Sequence, residues 1–509
     1  MALDFNGPND GSALAAQVDP RILWSKAISI YEGEEDPFMK MEGGPDSVIE
    51  TRTETAADAG STVKFQVTSG FGDEAHLGDD TFETGDDYEE MLLGEFELTV
   101  DWIRHGTRWK KRGMEIMGIN GELKRMIPEQ LGRWLGKQKS HMMQMTMLHR
   151  TNASNHFYTA GSQDGLSMGD HLTYDEIVKG GAILKPLGGT PARIGRDKEN
   201  NPIMGAIVLA TDNATFGLKQ DPVYRLNLQN GFDRGQSNLL FAGGVANVDG
   251  HMIKEYVPKR GDIEGAVGSP LNPQALLGVA ITAGAGTFNL KGGGNNTSAA
   301  KTKKAYYKYF PKFAYIWRNS QGSRAADQLT TTDKLCWDLV ATGYNNGSDA
   351  PATNVFYVRV SNPPNSVTDP GKWSIYEISA NNGNLLTVSA RLGGTANTGA
   401  GDIRHTTLGQ VTWDATKHTE SHDVGSLVTL CNNKGTPLGA TLVLYRGAAY
   451  RGYGSVRNNR VEDYKEGGFI QERYIESVFG QCLRQDRVGN KPGIAIVKHA
   501  IHYPGIIDG

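Results

Sequence analysis

Hydrophobic and polar positions alternate strictly in two stretches near the start of the chain. Val63, Phe65 and Val67 make one run, and Phe96, Leu98, Val100 and Trp102 make another. A period of two predicts strands with one face buried. The more than twenty residues between them are rich in glycine and acid, so the pair reads as one extended hairpin. A two-stranded hairpin is marginal alone in water, so its apolar face is expected to lie against a neighbouring copy of the chain. The period then changes. Leu123, Met126, Ile127, Leu131, Trp134, Leu135, Met142 and Met145 recur mostly three or four apart across 115–148. That spacing predicts a long helix with one apolar stripe. Pro128 predicts a fresh start or a kink within it.

Further on, short apolar runs such as Ala206 to Ala210 and Leu276 to Thr282 alternate with loops over 170–290, which fits a mixed α/β domain. From 298 to 436 the texture is different. Short candidate strands (Phe313 to Trp317, Leu335 to Val340, Val355 to Val360, Trp373 to Ile378, Leu385 to Val388, Leu427 to Leu430) are separated by Asn-Gly, Pro-Pro and Asp-Pro-Gly turns. Such spacing predicts an all-β, sandwich-like domain inserted into the α/β part. Thr441 to Tyr445 and Ile494 to Val497 then read as buried strands. The first fifty residues hold too few apolar positions for a core and read as an arm lying across something else.

Composition changes this picture in a few places. Glycine contributes 64 of 509 residues, which predicts many turns and close backbone approaches. The net charge of −5 argues against a tight nucleic-acid binder, because phosphate binding draws on an excess of lysine and arginine. Cys336, Cys431 and Cys482 match no zinc or redox spacing, and no stretch resembles a signal peptide or membrane span. A reducing compartment and free thiols are therefore expected. No phosphate loop, nucleophile elbow, metalloprotease helix or paired-cysteine motif is found. No catalytic residue, cofactor or metal is expected. His141, His149, His156, His499 and His502 lack partners at ligand spacing and read as structural.

Charge is segregated around the hairpin. Residues 73–90 hold nine acids, Asp79, Asp80, Asp86 and Asp87 among them, and no lysine or arginine. Arg104, Arg108, Lys110, Lys111 and Arg112 follow closely. The acidic tip of one copy is expected to meet this basic segment on the next; two solvated faces are the plain alternative. Lys301, Lys303, Lys304, Lys308 and Lys312 alternate with aromatics and read as a soluble strand edge rather than a single-strand binding site.

The run GSTVKFQVTSG…HLGDDTFETGDDYEE…FELTVDWIRHGTRW, followed by ELKRMIPEQLGRWLGKQ, resembles the phage capsid-like family of major capsid proteins. FAGGVANVDGHMIKEYV and the closing KPGIAIVKHAIHYPGI extend the likeness, which covers most of 50–290 and 437–505 but not 298–436. Arg104, His105, Leu131 and Trp134 match the family's strand ending in Arg-His and its helix with Leu and Trp near the middle. The resemblance implies an α+β, Hong Kong 97-like fold with an inserted all-β domain. It implies an N-terminal arm over 1–50 and an extended hairpin loop over 51–105. A peripheral domain with the spine helix would take 106–170 and 490–509, an axial domain 171–297 and 437–489, and the insert 298–436.

It further implies a structural, non-enzymatic subunit that builds the icosahedral head around the double-stranded DNA of a tailed bacteriophage. Hexamers and pentamers of itself, a scaffolding protein, a portal and a decoration protein on the insert are the implied partners. DNA would be enclosed without sequence-specific binding, in a virion assembled in the bacterial cytoplasm and without a membrane. Phe65, Phe96, Val100 and Trp102 are expected to anchor the hairpin. Leu123, Ile127, Leu131 and Trp134 are expected to fix the helix to a sheet. Two other readings stay open: a tail or decoration component, and a carbohydrate-active enzyme whose β-domain binds sugar. The first would form rings or tubes; the second needs paired carboxylates in a cleft.

Overall fold

The computed structural model describes residues 30–52, 62–68, 93–110, 120–196, 202–231, 247–248, 250–257, 269–281, 287–290, 340–342, 353–361, 373–382, 385–394, 411–412, 422–454, 459–465, 470–486 and 489–501. They form three sheets, one two-stranded ribbon and a small set of helices.

The ribbon pairs Thr62–Thr68 with Leu93–Thr99, antiparallel, with Phe65 opposite Phe96. The second run is not one strand. Val100 separates Leu93–Thr99 from Asp101–Lys110, which leaves the ribbon and runs antiparallel to Ile470–Leu483. Together with Ala449–Tyr453, Asn459–Lys465 and the parallel strands Glu42–Gly43 and Ile49–Arg52, these form a six-stranded sheet. The long helix, Asn120–Arg150, packs on it. It is unbroken at Pro128, so neither a restart nor a separate segment occurs there. The proline costs one helical hydrogen bond, which the flanking packing tolerates. Ile127, Leu131 and Leu135 cluster with Ile475, and Ile103 and Trp134 pack beside them. Farther along, Met143, Met147 and Leu148 enter the main core.

Residues 30–52 lie across this helix and end as strands of the sheet. The approach is so close that a side chain at Gly136 would strike the backbone oxygen of Glu32 at 2.5 Å, which explains the glycine.

A seven-stranded sheet runs His156–Tyr158, Ile494–Ala500, Leu438–Leu444, Pro202–Thr211, His251–Tyr256 and Asn247–Val248, with Ala192–Arg196 attached to the start of Pro202–Thr211. Helices Tyr174–Leu184, Asp212–Gln220 and Pro222–Gly231 accompany it. From Ala206 onward in Pro202–Thr211, and along Leu438–Leu444 and Ile494–Ala500, its central strands are buried and mostly aliphatic, Lys498 and His499 excepted.

Two domain boundaries need correction. Residues 449–483 belong to the sheet carrying the long helix, while 494–500 belong to the seven-stranded sheet. Leu438–Leu444 does pair with Pro202–Thr211, as expected for 437–489, whereas 449–483 does not join that sheet; Ile494–Ala500 pairs with both 156–158 and 438–444. The reason lies in pairing: Ile470–Leu483 is long enough to serve the basic strand along one edge and two other strands along the opposite one.

The third sheet has eight strands, in the path Gln274–Leu276, Leu427–Cys431, Thr353–Ser361, Trp373–Asn382, Leu385–Gly394 and Thr287–Asn289, with Val340–Thr342 and Val411–Thr412 added. Since 274–276 and 287–289 are strands of it, the expected start at 298 is too late. Its inner residues, including Val358, Val360, Tyr376 and Leu430, share one continuous core with Leu209 and Leu442 of the seven-stranded sheet. The expected strands at 313–317 and 335–339 lie outside the described residues.

Candidate assembly interface

Around the base of the ribbon, Phe65 stacks on Phe96 at 5.0 Å and on Tyr450 at 4.9 Å. Phe96, Leu98, Tyr450 and Cys482 form one buried cluster. Here the expectation that a neighbouring copy must cover the apolar face is corrected: the chain's own six-stranded sheet covers it. Gly452 makes this possible, because a Cβ there would meet Leu98 Cδ2 at 2.5 Å. Val100 is fully buried beside the same glycine, where the chain turns from ribbon to sheet.

Trp102 differs from the other three anchors, being 37% exposed. Arg104 lies over its ring at 4.5 Å, a cation–π contact in partial solvent. Among the described residues, Asp101–Lys110 pairs only with Ile470–Leu483, so its other edge is open. The register sets Arg104 opposite Glu476 and Arg108 opposite Glu472, at 3.2 Å and 3.6 Å between charged atoms. Both arginines therefore have partners within the chain, although each remains more than half exposed. Only the arginine end of each pair is exposed, and screening there keeps each contribution to about 1 kcal/mol. His105 stacks on Trp134 of the long helix at 4.3 Å. Lys110 is the last residue of the strand. Lys111, Arg112, Asp79, Asp80, Asp86 and Asp87 lie outside the described residues, as does the side chain of Leu123 within its helix.

Sequence reasoning missed a buried ionic group under this surface. Lys139 on the long helix donates to Glu32 at 2.6 Å, both side chains nearly or fully buried. Arg451 is fully buried and pairs with Asp36 at 2.8 Å and with Glu42, which also accepts from the Tyr453 hydroxyl at 2.9 Å. Burial pushes the Asp36 carboxyl up, while Arg451 draws it back. Burial likewise lowers Lys139 against the pull of Glu32. Burial also works against the Arg451 charge, but Asp36 and Glu42 more than restore it. Arg133 adds contacts to Glu34, Glu35 and Glu129. A signal was present: Lys139 falls four residues after Leu135 and three before Met142, inside the apolar stripe, and Arg451 shares a strand face with Ala449 and Tyr453.

Burial pushes the thiols of Cys431 and Cys482 well above the ordinary range. Among the described residues no group of histidine, cysteine and acid is placed to hold a metal, and no helix is long and apolar enough to cross a membrane.

No family model matches the chain, and no curated protein does either. Among solved structures, it is similar to the capsid of Ralstonia phage GP4, with 12% identity, 99% of each chain covered and a TM-score of 0.48. It is also similar to the capsid asymmetric unit of cyanophage Pam1 (8% identity, 92% of each chain, TM-score 0.49). A third likeness is to the capsid of Helicobacter pylori bacteriophage KHP30 (10% identity, 92% of each chain, TM-score 0.45).

Proposed function

We propose that this chain is a shell subunit: the major capsid protein of a tailed double-stranded DNA bacteriophage, structural and non-enzymatic. One observation carries the reading most. A ribbon anchored in its own sheet bears an acidic connection over 69–92, beside a ten-residue strand that, among the described residues, has one paired and one unpaired edge and exposes Arg104 and Arg108. An open edge of that length invites unwanted pairing in a lone molecule, and repeated contact between copies puts it to use. The acidic segment of one copy meets Arg104, Arg108, Lys110, Lys111 and Arg112 of the next. Each contact is modest, and closed symmetry multiplies them.

Under this reading the partners are other copies in hexamers and pentamers, a scaffolding protein, a portal, and a decoration protein on the third sheet. The location is the virion, after assembly in the host cytoplasm. Electron microscopy of the purified full chain, alone and with its scaffold, tests it. Closed shells of uniform size are expected; rings or tubes point instead to a tail component, and a persistent monomer overturns the proposal. Reversing Lys110, Lys111 and Arg112 to glutamate is expected to abolish closed shells at low salt.

A further inference from the structure

Several turns meet at one end of the seven-stranded sheet. Residues 185–190 leave the helix Tyr174–Leu184, and 445–448 join Leu438–Leu444 to Ala449–Tyr453. Residues 484–486 and 489–493 lie between Ile470–Leu483 and Ile494–Ala500, and 151–152 follow the long helix. Arg446 donates its backbone N–H to Thr190 O at 3.0 Å and its Nε to Pro45 O at 2.7 Å. Asn152 Nδ2 donates to Gly489 O at 3.1 Å, and a Cβ at Gly189 would strike Pro492 O. A Cβ at Gly447 would meet Arg484 Nη1 at 2.9 Å. These turns therefore make one continuous surface. It carries Arg150, Lys185, Arg446, Arg484 and Lys491 against two acids, Asp46 and Asp486. Arg446 pairs with Asp46 at 2.9 Å, and Asp486 accepts from the backbone and side chain of Asn490 at 2.7 Å and 2.9 Å. Lys491 is buried and donates to Gln485 Oε1 and Gly489 O. Lys185 is exposed and Arg484 half-buried, neither in an ion pair among the described residues. An excess of positive charge thus gathers here, in a chain whose total is −5.

Among the described residues no exposed large apolar side chain lies on these turns, so they lack the apolar anchor on which a protein interface draws. Gly188 and Gly447 are left-handed, at φ 82° and 60°, and keep side chains off the rim where another backbone can come close. Basic side chains on bare turns suit a polyanion whose charge is evenly spaced. We propose that this end of the sheet rests on the phosphate backbone of duplex DNA, with Lys185, Arg446 and Arg484 meeting phosphates and no base being read. Three such contacts bind weakly in one copy, which agrees with the acidic total, and repetition over many copies adds them up. The inference rests on the shell reading, in which DNA is what the shell holds, and it gives that DNA a place on the chain.

Fluorescence anisotropy of a short labelled DNA duplex of random sequence, titrated with the purified full chain, tests it. The logarithm of the affinity is expected to fall against that of salt concentration with a slope of about 3. Lys185→Glu/Arg484→Glu is expected to weaken duplex binding about tenfold or more at low salt, while closed shells still form. Lys185→Glu alone, on an exposed turn, is expected to weaken it about threefold with an unchanged thermal midpoint. Duplex binding equal to wild type in both variants overturns the proposal and leaves the shell reading intact. So does a surface that takes a peptide of residues 73–90 and not the duplex, or a double variant that folds but builds no shells, since either makes this a contact between subunits. A wild-type chain that binds duplex through these residues but never builds shells overturns the shell reading and leaves this contact standing.

Discussion

Beneath the long helix buried charges meet as ion pairs, whereas in the seven-stranded sheet aliphatic packing dominates and the buried Lys498 donates to the Tyr158 hydroxyl at 3.0 Å. Lys139, Arg451, Glu32 and Asp36 are buried in the first region and meet as ion pairs. In the second, Val208, Leu209, Leu442 and Val497 fill the space. His499 there bonds Thr441 at 2.9 Å and the Ala500 carbonyl at 3.0 Å, both its ring nitrogens engaged in the neutral form. The difference teaches what each kind of burial supplies. Aliphatic packing tolerates small shifts of one strand over another. A guanidinium between two carboxylates does not, and it fixes how residues 30–43 cross the helix.

The strongest way to break the comparison is Arg451→Met. It strands Asp36 and Glu42 without a counter-charge, and a cost of about 3–5 kcal/mol is expected. The urea unfolding midpoint measures it; a loss below about 1 kcal/mol would mean the ionic group does not hold residues 30–43 across the helix.

Acid should strike through neutral groups. Burial lowers His499 and His149 to about 4. A proton then binds the unfolded chain better than the folded one. Stability is full above pH 6.5 and falls as the pH drops toward 4, by on the order of 3 kcal/mol for each histidine. His499→Gln should flatten that slope between pH 6.5 and 4 in a thermal melt series; an unchanged slope would show that His499 does not titrate in that window.

Asp221 provides a smaller effect among the helices beside the seven-stranded sheet. Its carboxylate accepts from the backbone of Val223 at 2.9 Å and of Tyr174 at 2.8 Å, capping two helices at once. Asp221→Ala is expected to cost about 2 kcal/mol, roughly one per cap, as a shift in thermal midpoint; a cost near zero would mean water replaces both bonds. Smallest of all, Glu476→Gln weakens the pair with the solvent-screened Arg104 and should change stability by about 1 kcal/mol. Full-chain calorimetry that finds several kcal/mol would show the basic strand to be a stability element rather than a contact surface.

What the sequence discloses follows the same division. Strict alternation at Phe65 and Phe96 and the apolar stripe through Leu131 and Leu135 reveal strand and helix, because burial on one face leaves a local period. The order of hairpin, long helix and α/β sheet is the one that the resemblance implies. No local period shows which sheet a strand will join. Asp101–Lys110 looks like a continuation of the hairpin until its register with Ile470–Leu483 is seen, and 449–483 reads no differently from 494–500. Cover for Phe65 came from Tyr450, nearly four hundred residues away, where sequence offers only a glycine-rich run. Of the proposed contact residues, the acids at 79–87 are visible only as composition.

Pairing between distant segments also sets the order in which the molecule can be made. Ile49 lies opposite Ala449, and His156 opposite Ile496. Neither sheet can close until nearly the whole chain has left the ribosome, and contacts that wait on long loops form slowly. A growing chain thus has no finished sheet edge until its last strands arrive. Synthesis itself becomes a timer for the fold, both sheets waiting on strands that emerge late.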